Sequence, residues 1–307
     1  MDITLDWLGC ATFRLRIGPT TIFLDAYMDR VSTAPPVGLS TKEITQADFV
    51  VVGHSHFDHL SGAEVIAANT GAKVIGSNET CRVMGSCGIP DTQLQRSQGG
   101  ERWQLADGVT VRVFPSLHSC IWCSPGLDAT DPKLGHYGLT QEERAEVART
   151  MGLGRSIGSD GGVLDAVAKE RNEHMAANRH NSSNTDGGAL AYLFETPAGS
   201  IFFQDTSGCW TGVLKNIRPD VALIAAAGRG NIDGEPIQGT LAQFVARETD
   251  ILRPKSIILN HHDNWFPPLT KDGGTDITPI REELSRMVPT AKLLEVGYSE
   301  GTLLLRG

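Results

Sequence analysis

No apolar run in this 307-residue chain approaches the roughly 20 residues that a membrane-spanning helix needs; stretches such as 221–227 are far shorter. The opening Met1-Asp2-Ile3-Thr4 carries neither the basic head nor the apolar core of a secretory signal, and alternates like a strand. A cytoplasmic protein is expected. Cysteines are few. Six are present (Cys10, Cys81, Cys87, Cys120, Cys123 and Cys209), and in a reducing compartment they are expected as free thiols rather than a disulfide framework. An excess of positive charge is also missing. The 27 basic and 36 acidic residues leave a net charge of −9, the wrong sign for a broad grip on a phosphate backbone. Extended nucleic acid therefore falls behind a small-molecule substrate, and a homo-oligomer stays open. With 40% hydrophobic and 21% charged residues the chain has none of the biases of disordered, collagen-like or coiled-coil proteins.

What remains reads as α/β. Short strands are expected at residues 3–7, 11–17, 21–26, 49–53, 73–76 and 109–114, with a helix over 60–68. From 124 to 187 the strand pattern lapses. Residues 141–151 and 163–177 have helical spacing, and 178–188 is a polar, Asn/Ser-rich loop. Strands return at 189–195, 200–204, 221–227, 256–260, 293–296 and 302–306. Helices are expected from Thr240, as cap, to 252, and from Thr278, as cap with Pro279 in the first turn. The gross order is a β-rich half, a helical insertion and an α/β half.

The densest chemical signal is His54-Ser55-His56-Phe57-Asp58-His59, four metal-ligand types within six residues directly after a buried-strand candidate. Such a loop sits at the C-terminal edge of a sheet, where α/β sites form. Imidazole and carboxylate suit zinc, manganese or iron. Alternation sends His54 and His56 to one side while Asp58 and His59 turn toward a neighbouring position, an arrangement that serves two adjacent metals.

The motif resembles the His-x-His-x-Asp-His signature of the metallo-β-lactamase fold superfamily. Trp7-Leu8-Gly9-Cys10-Ala11-Thr12-Phe13 and Ile22-Phe23-Leu24-Asp25 are similar to the opening of its branch containing ascorbate-6-phosphate lactonase and N-acyl-phosphatidylethanolamine phospholipase D. The similarity covers about 1–123 and 188–307. It implies a four-layer αββα sandwich, a single domain over 1–307 made of an N-terminal half (1–123), a helical insertion (124–187) and a C-terminal half (188–307). It also implies three more ligands: His118, Asp205 as bridge, and a late histidine, His261 in preference to His262 because His261, Asp263 and Trp265 fit the recurring pattern. Gln204 stands where the family has glycine. On this reading His54, His56 and His118 hold the first cation, Asp58, His59 and His261 the second, and Asp58 is the catalytic proton carrier. Zinc is the first expectation, with manganese and iron open.

The activity implied is a binuclear metal-dependent hydrolase whose metal-bound hydroxide attacks a small-molecule ester, lactone, amide or phosphodiester. The alternatives are a di-iron oxidoreductase on the same fold, whose sites tend to place Glu where this chain has His56, a nucleic-acid-processing phosphodiesterase, and a catalytically dead binding module. Asp25 reads equally as a turn residue or as an acceptor orienting a liganding histidine. Cys120 and Cys123 read as structural thiols, Arg229 and Asn231 as a substrate-contact loop or a plain turn, and His136, His174 and His180 as surface residues. The insertion, with 10 acidic and 7 basic residues, is expected either to cap the metal cleft, with His136, Tyr137 or Arg155 at the substrate, or to be a peripheral decoration.

Overall fold

A computed structural model describes residues 1–120, 163–237, 239–267 and 274–307. The expected helix at 141–151 and the residues Cys123, His136, Tyr137 and Arg155 lie outside the described residues.

The first half lays down β1 (Ile3–Trp7), β2 (Phe13–Ile17), β3 (Thr20–Leu24), β4 (Phe49–Val51), β5 (Lys73–Gly76) and β6 (Leu94–Arg96). After them come β7 (Arg102–Ala106), β8 (Val109–Pro115), β9 (Leu190–Thr196), β10 (Gly199–Phe203), β11 (Gly208–Cys209), β12 (Val221–Ala225), β13 (Asn231–Ile232), β14 (Glu235–Pro236), β15 (Ser256–Asn260), β16 (Lys292–Leu293) and β17 (Thr302–Leu305). They form two seven-stranded sheets, ordered β17-β1-β2-β3-β4-β5-β6 and β16-β15-β12-β10-β9-β8-β7, and a small sheet β11-β13-β14. The last strand of the chain thus closes the first sheet by pairing antiparallel with β1.

Alternation within the strands explains the layering. On β3, Ile22 and Leu24 enter the core between the sheets with Phe13, Val111, Tyr192, Phe203, Leu223 and Ile258. Phe23 points the other way, into a second core with Val50, Val52, Ile66 and Met84. That second core is roofed by α1 (Phe57–Leu60), α2 (Ala63–Thr70) and α3 (Asn78–Ser86). A third core joins Phe202, Ala222, Ile224 and Ile257 of the other sheet to Phe244, Val245, Ile280 and Leu284. After α4 (Val163–Ala177) and α5 (Thr211–Leu214), these last four belong to α6 (Leu241–Leu252) and α7 (Thr278–Met287). The result is the expected helix–sheet–sheet–helix sandwich, with α4 matching the helix read over 163–177.

Several boundaries differ from expectation for local reasons. The helix expected at 60–68 is two pieces, because Gly62 adopts φ +102 between α1 and α2. Strand β3 stops at Leu24, since Asp25 turns left-handed at φ 52. Thr240 does cap α6, its hydroxyl accepting from Gln243 N at 3.3 Å and Gln243 reaching back to Thr240 N at 3.1 Å. Thr278 does not cap α7. The cap is Ile277, and Asp276 Oδ1 accepts from Thr278 N instead. The strand read over 293–296 shortens to β16, whose register fixes only Lys292 and Leu293 against β15.

Phe203 fills the space between the sheets, edge-on to Phe13 at 6.4 Å between centroids and fully buried. Phe203→Ala should lower unfolding free energy by about 3–5 kcal/mol in a urea titration.

Candidate metal centre

Strand polarity decides where side chains meet. β3, β4 and β5 run parallel, and β1 shares their direction because both β1 and β3 are antiparallel to β2. β10, β12 and β15 are parallel, and β8 points with them across the antiparallel β9. Cys10, Asp25, the 54–59 loop, His118, Asp205 and His261 all follow the C-terminal ends of these strands, on the edge where α/β sites assemble.

The described donors form three groups, each with its ligand atoms within 4.8 Å of one another: His54, His56 and His118; His54, His59 and Asp205; and Cys10, Asp58, His59 and His261. His54 Nε2 lies 3.1 Å from His56 Nδ1, and the His118 ring centroid lies 4.7 and 4.8 Å from those of His54 and His56. Asp205 Oδ2 reaches His54 Nδ1 at 2.7 Å and His59 Nδ1 at 3.2 Å. Asp58 Oδ2 faces His59 Nε2 at 3.4 Å and His261 Nε2 at 3.3 Å. His54, His59 and Asp205 are almost wholly buried. Asp205 Oδ1 and His261 Nδ1 are buried without a hydrogen-bond partner. Buried polar atoms are rarely left so, and convergent imidazoles and carboxylates with orphaned acceptors fit divalent cations.

The surroundings orient these groups. His56 occupies the N-cap position of α1, so that Asp58 and His59 follow on its single turn. Asp25 accepts from Gly53 N at 2.9 Å and pairs with His59 Nδ1 at 2.7 Å, leaving His59 Nε2 toward Asp58. Asp25 therefore holds a histidine of the cluster, the second of its two sequence readings. Burial and then the Asp205 carboxylate push the Asp25 pKa upward. Burial opposes ionisation of Asp205 as well, but His54 and His59 outweigh it and hold that carboxyl below its usual range. Burial disfavours charge on His54 and lowers its pKa. It also disfavours charge on His59, yet Asp58, Asp205 and Asp25 together raise that one.

Gln204, standing where a glycine was expected, braces the turn that carries Asp205: its amide donates to Thr206 O at 2.9 Å and to Gly208 O. Opposite it, Gly53 is indispensable for space, because a β-carbon there would lie 2.1 Å from the Asp205 carboxylate. Asp263 accepts from Cys10 N at 3.1 Å, from Arg30 Nη1 at 2.5 Å and from Tyr298 Oη at 2.6 Å. His262 stands apart from the cluster, stacked on Trp7 at 4.8 Å.

A family model described as a β-lactamase superfamily domain matches residues 20–193. This chain belongs to that superfamily. It is 33% identical over 115 residues to a UPF0173 metal-dependent hydrolase of Pyrobaculum arsenaticum, a match covering 37% of this chain and 49% of the relative. The chain thus spans about half the length of the curated relatives it matches. Its fold is similar to that of Igni18, a metallo hydrolase from Ignicoccus hospitalis, at 16% identity and TM-score 0.61 over 100% of this chain and 99% of the other. It is also similar to CmlA, a diiron β-hydroxylase from Streptomyces venezuelae, at 14% identity and TM-score 0.54 over 99% of this chain and 53% of CmlA. These likenesses carry the metallo-β-lactamase sandwich and do not single out a branch within it.

In this superfamily member several residues sit differently from their sequence reading. His174, read as a surface residue, is half-buried against Phe57 and Phe266, with Nε2 3.0 Å from Tyr27 Oη. His180 is exposed. Asn231 is buried, and its Nδ2 donates to His118 O at 2.9 Å, fixing that loop. Arg229 Nη2 donates to Ile237 O at 3.2 Å. Cys120 is buried, its N bonding to Arg229 O at 2.9 Å. Sequence reasoning missed Gly53, the place of Cys10 in the donor cluster, and the pairing of Asp263 with Arg30 and Tyr298. Gly53 adjoins the histidine motif, and Asp263 and Cys10 lie in the segments that carry the resemblance, but none of these signals gives the contact made.

Two substitutions test this frame. Gly53→Ala should force Asp205 away from His54 and His59 and cost about 1–3 kcal/mol as an overpacked site, read by thermal unfolding. Asp263→Ala should cost about 3–5 kcal/mol, because it strands Arg30, whose side chain is only 3% exposed, as an unpaired buried charge.

Proposed function

We propose that this protein is a binuclear metal-dependent hydrolase acting on an ester, lactone, amide or phosphodiester bond of a small molecule. The reading takes 1–307 as one catalytic domain interrupted by the insertion 124–187. Its main support is that four segments far apart in the chain, at 54–59, 118, 205 and 261, converge in three adjoining donor groups that share His54 and His59. His54, His56 and His118 would hold one cation and Asp58, His59 and His261 the other. Asp205, within reach of both His54 and His59, would lie between them. Bound there, two divalent cations supply a water acidified toward neutral pH and polarise the substrate oxygen. Hydrolysis adds water across a C–O, C–N or P–O bond, and the proton lost by the water ends on the leaving atom. Asp58, its Oδ2 facing two imidazole nitrogens, is the group assigned to carry that proton. The net charge of −9 favours small substrates over nucleic acid.

The described end of the insertion supports a role in substrate choice. Ser55 N donates to Asp186 O and Ser55 O accepts from Ser183 N, each at 2.8 Å, so this segment is tied to the backbone between His54 and His56.

Elemental analysis of the purified protein should find about two divalent cations per chain, zinc first among them. A panel of lactones, phosphodiesters, thioesters and β-lactams assayed with the metal found should reveal turnover. Asp58→Ala and His56→Ala should each abolish it in a protein whose circular dichroism is unchanged. Undiminished turnover in folded Asp58→Ala protein would sink the mechanism.

A further inference from the structure

Cys10 shares the second donor group with Asp58, His59 and His261, yet the ligand set above gives it no role. Its sulfur lies close to the charged groups of His59, Asp58 and Asp263. It is fully buried and points into the polar cluster, donating to Asp58 O at 3.4 Å. Its backbone is costly. Cys10 holds φ 49, in the left-handed region that glycine takes freely and other residues take at about 1–3 kcal/mol. The conformation is enforced from three sides: Trp7 Nε1 donates to Cys10 O at 3.0 Å, His261 N donates to the same oxygen at 2.8 Å, and Cys10 N donates to Asp263 Oδ1 at 3.1 Å. His261 is itself left-handed at φ 61. Two strained turns, 251 residues apart in sequence, are thus bonded to each other, and each delivers one donor atom to the same place.

We infer that Cys10 is a sulfur ligand of the second metal position, joining Asp58, His59 and His261 there. This rests on the two-metal reading of the site. The thiol gives its proton to solvent on coordination, since the thiolate is the ligand. Sulfur turns the preference of that position toward zinc or iron and away from manganese. With Asp205 counted between the two positions, Cys10 brings the second to five protein donors and the first has four, which leaves the second the more closed. The open coordination place that catalysis needs then falls to the three-histidine position of His54, His56 and His118.

X-ray absorption and optical spectroscopy test this without an activity assay. In zinc-loaded wild-type protein the metal shell should contain sulfur at about 2.3 Å, near one sulfur for every two zinc ions. The signal should survive in the Cys120→Ser/Cys123→Ser double variant. Cobalt(II)-loaded protein should show a near-ultraviolet thiolate-to-cobalt band that vanishes in Cys10→Ser and persists in Cys209→Ser. Cys10→Ser should also weaken the second zinc equivalent by more than the roughly 10–100-fold that loss of an outer-shell partner costs. A shell of nitrogen and oxygen alone in protein holding two metals overturns the assignment of Cys10 and leaves the binuclear reading standing. Loss of sulfur in the Cys120/Cys123 double variant, or a cobalt band retained by folded Cys10→Ser, overturns it equally. Failure of the wild type to take up metal overturns both readings. Should Cys10→Ser not fold, the wild type and the double variant decide the matter.

Discussion

One buried carboxylate ties the halves of this molecule together. Asp205 leaves β10 in the second sheet and reaches His54 and His59 of the first. A charge so deep is expensive unless it is paired. Its position is possible only because Gly53 presents no side chain against it and Gln204 braces its turn. The approach of the two sheets, set by the apolar faces between them, therefore has to agree with the length of one aspartate. The geometry of the cluster inherits that agreement.

Around this contact the carboxylates divide into two kinds. Asp205 and Asp58 face ring nitrogens across the space in which the donors converge, while Asp25 and Asp263 stand behind the cluster. Asp25 fixes which nitrogen of His59 faces inward, and Asp263 pins the turns of Cys10 and Arg30. The arrangement gathers the carboxylates of Asp25, Asp58 and Asp205 around His59. His59 faces three carboxylates at once, which is why its charge is stabilised against burial. Divalent cations would relieve the same imbalance directly.

The local part of this design is written in the sequence. His54, His56, Asp58 and His59 lie within six residues, so strand alternation followed by one helical turn suffices to read them. The apolar runs of β4, β12 and β15 announce buried parallel strands, and the Thr240 cap of α6 carries its own signature. The remainder depends on tertiary juxtaposition. Nothing near Cys10 in sequence indicates that its carbonyl will accept from His261, nor can Asp263 be assigned to Arg30 and Tyr298 before the fold brings the three together. Asn231 was ambiguous for the same reason: a polar loop residue looks alike whether it meets substrate or, as here, the backbone of His118. The misread ends of β3 and of the first helix trace to left-handed turns at Asp25 and Gly62, whose cause is tertiary rather than local.

The distribution of strain points the same way. Among the described residues six non-glycine positions adopt positive φ, and three of them, Cys10, Asp25 and His261, border the cluster. A sequence under selection for stability alone would place glycine or asparagine at such turns. Each of these three instead keeps a side chain whose polar or sulfur atom faces the cluster or a histidine within it. The turns are held by hydrogen bonds to Trp7, Gly53, Asp263 and one another, which in turn are anchored by the cores on both faces of the sheets. The three cores therefore do more than hold the sandwich together. They maintain backbone conformations that the local sequence disfavours, and those conformations are what bring donors from both halves of the chain to one point.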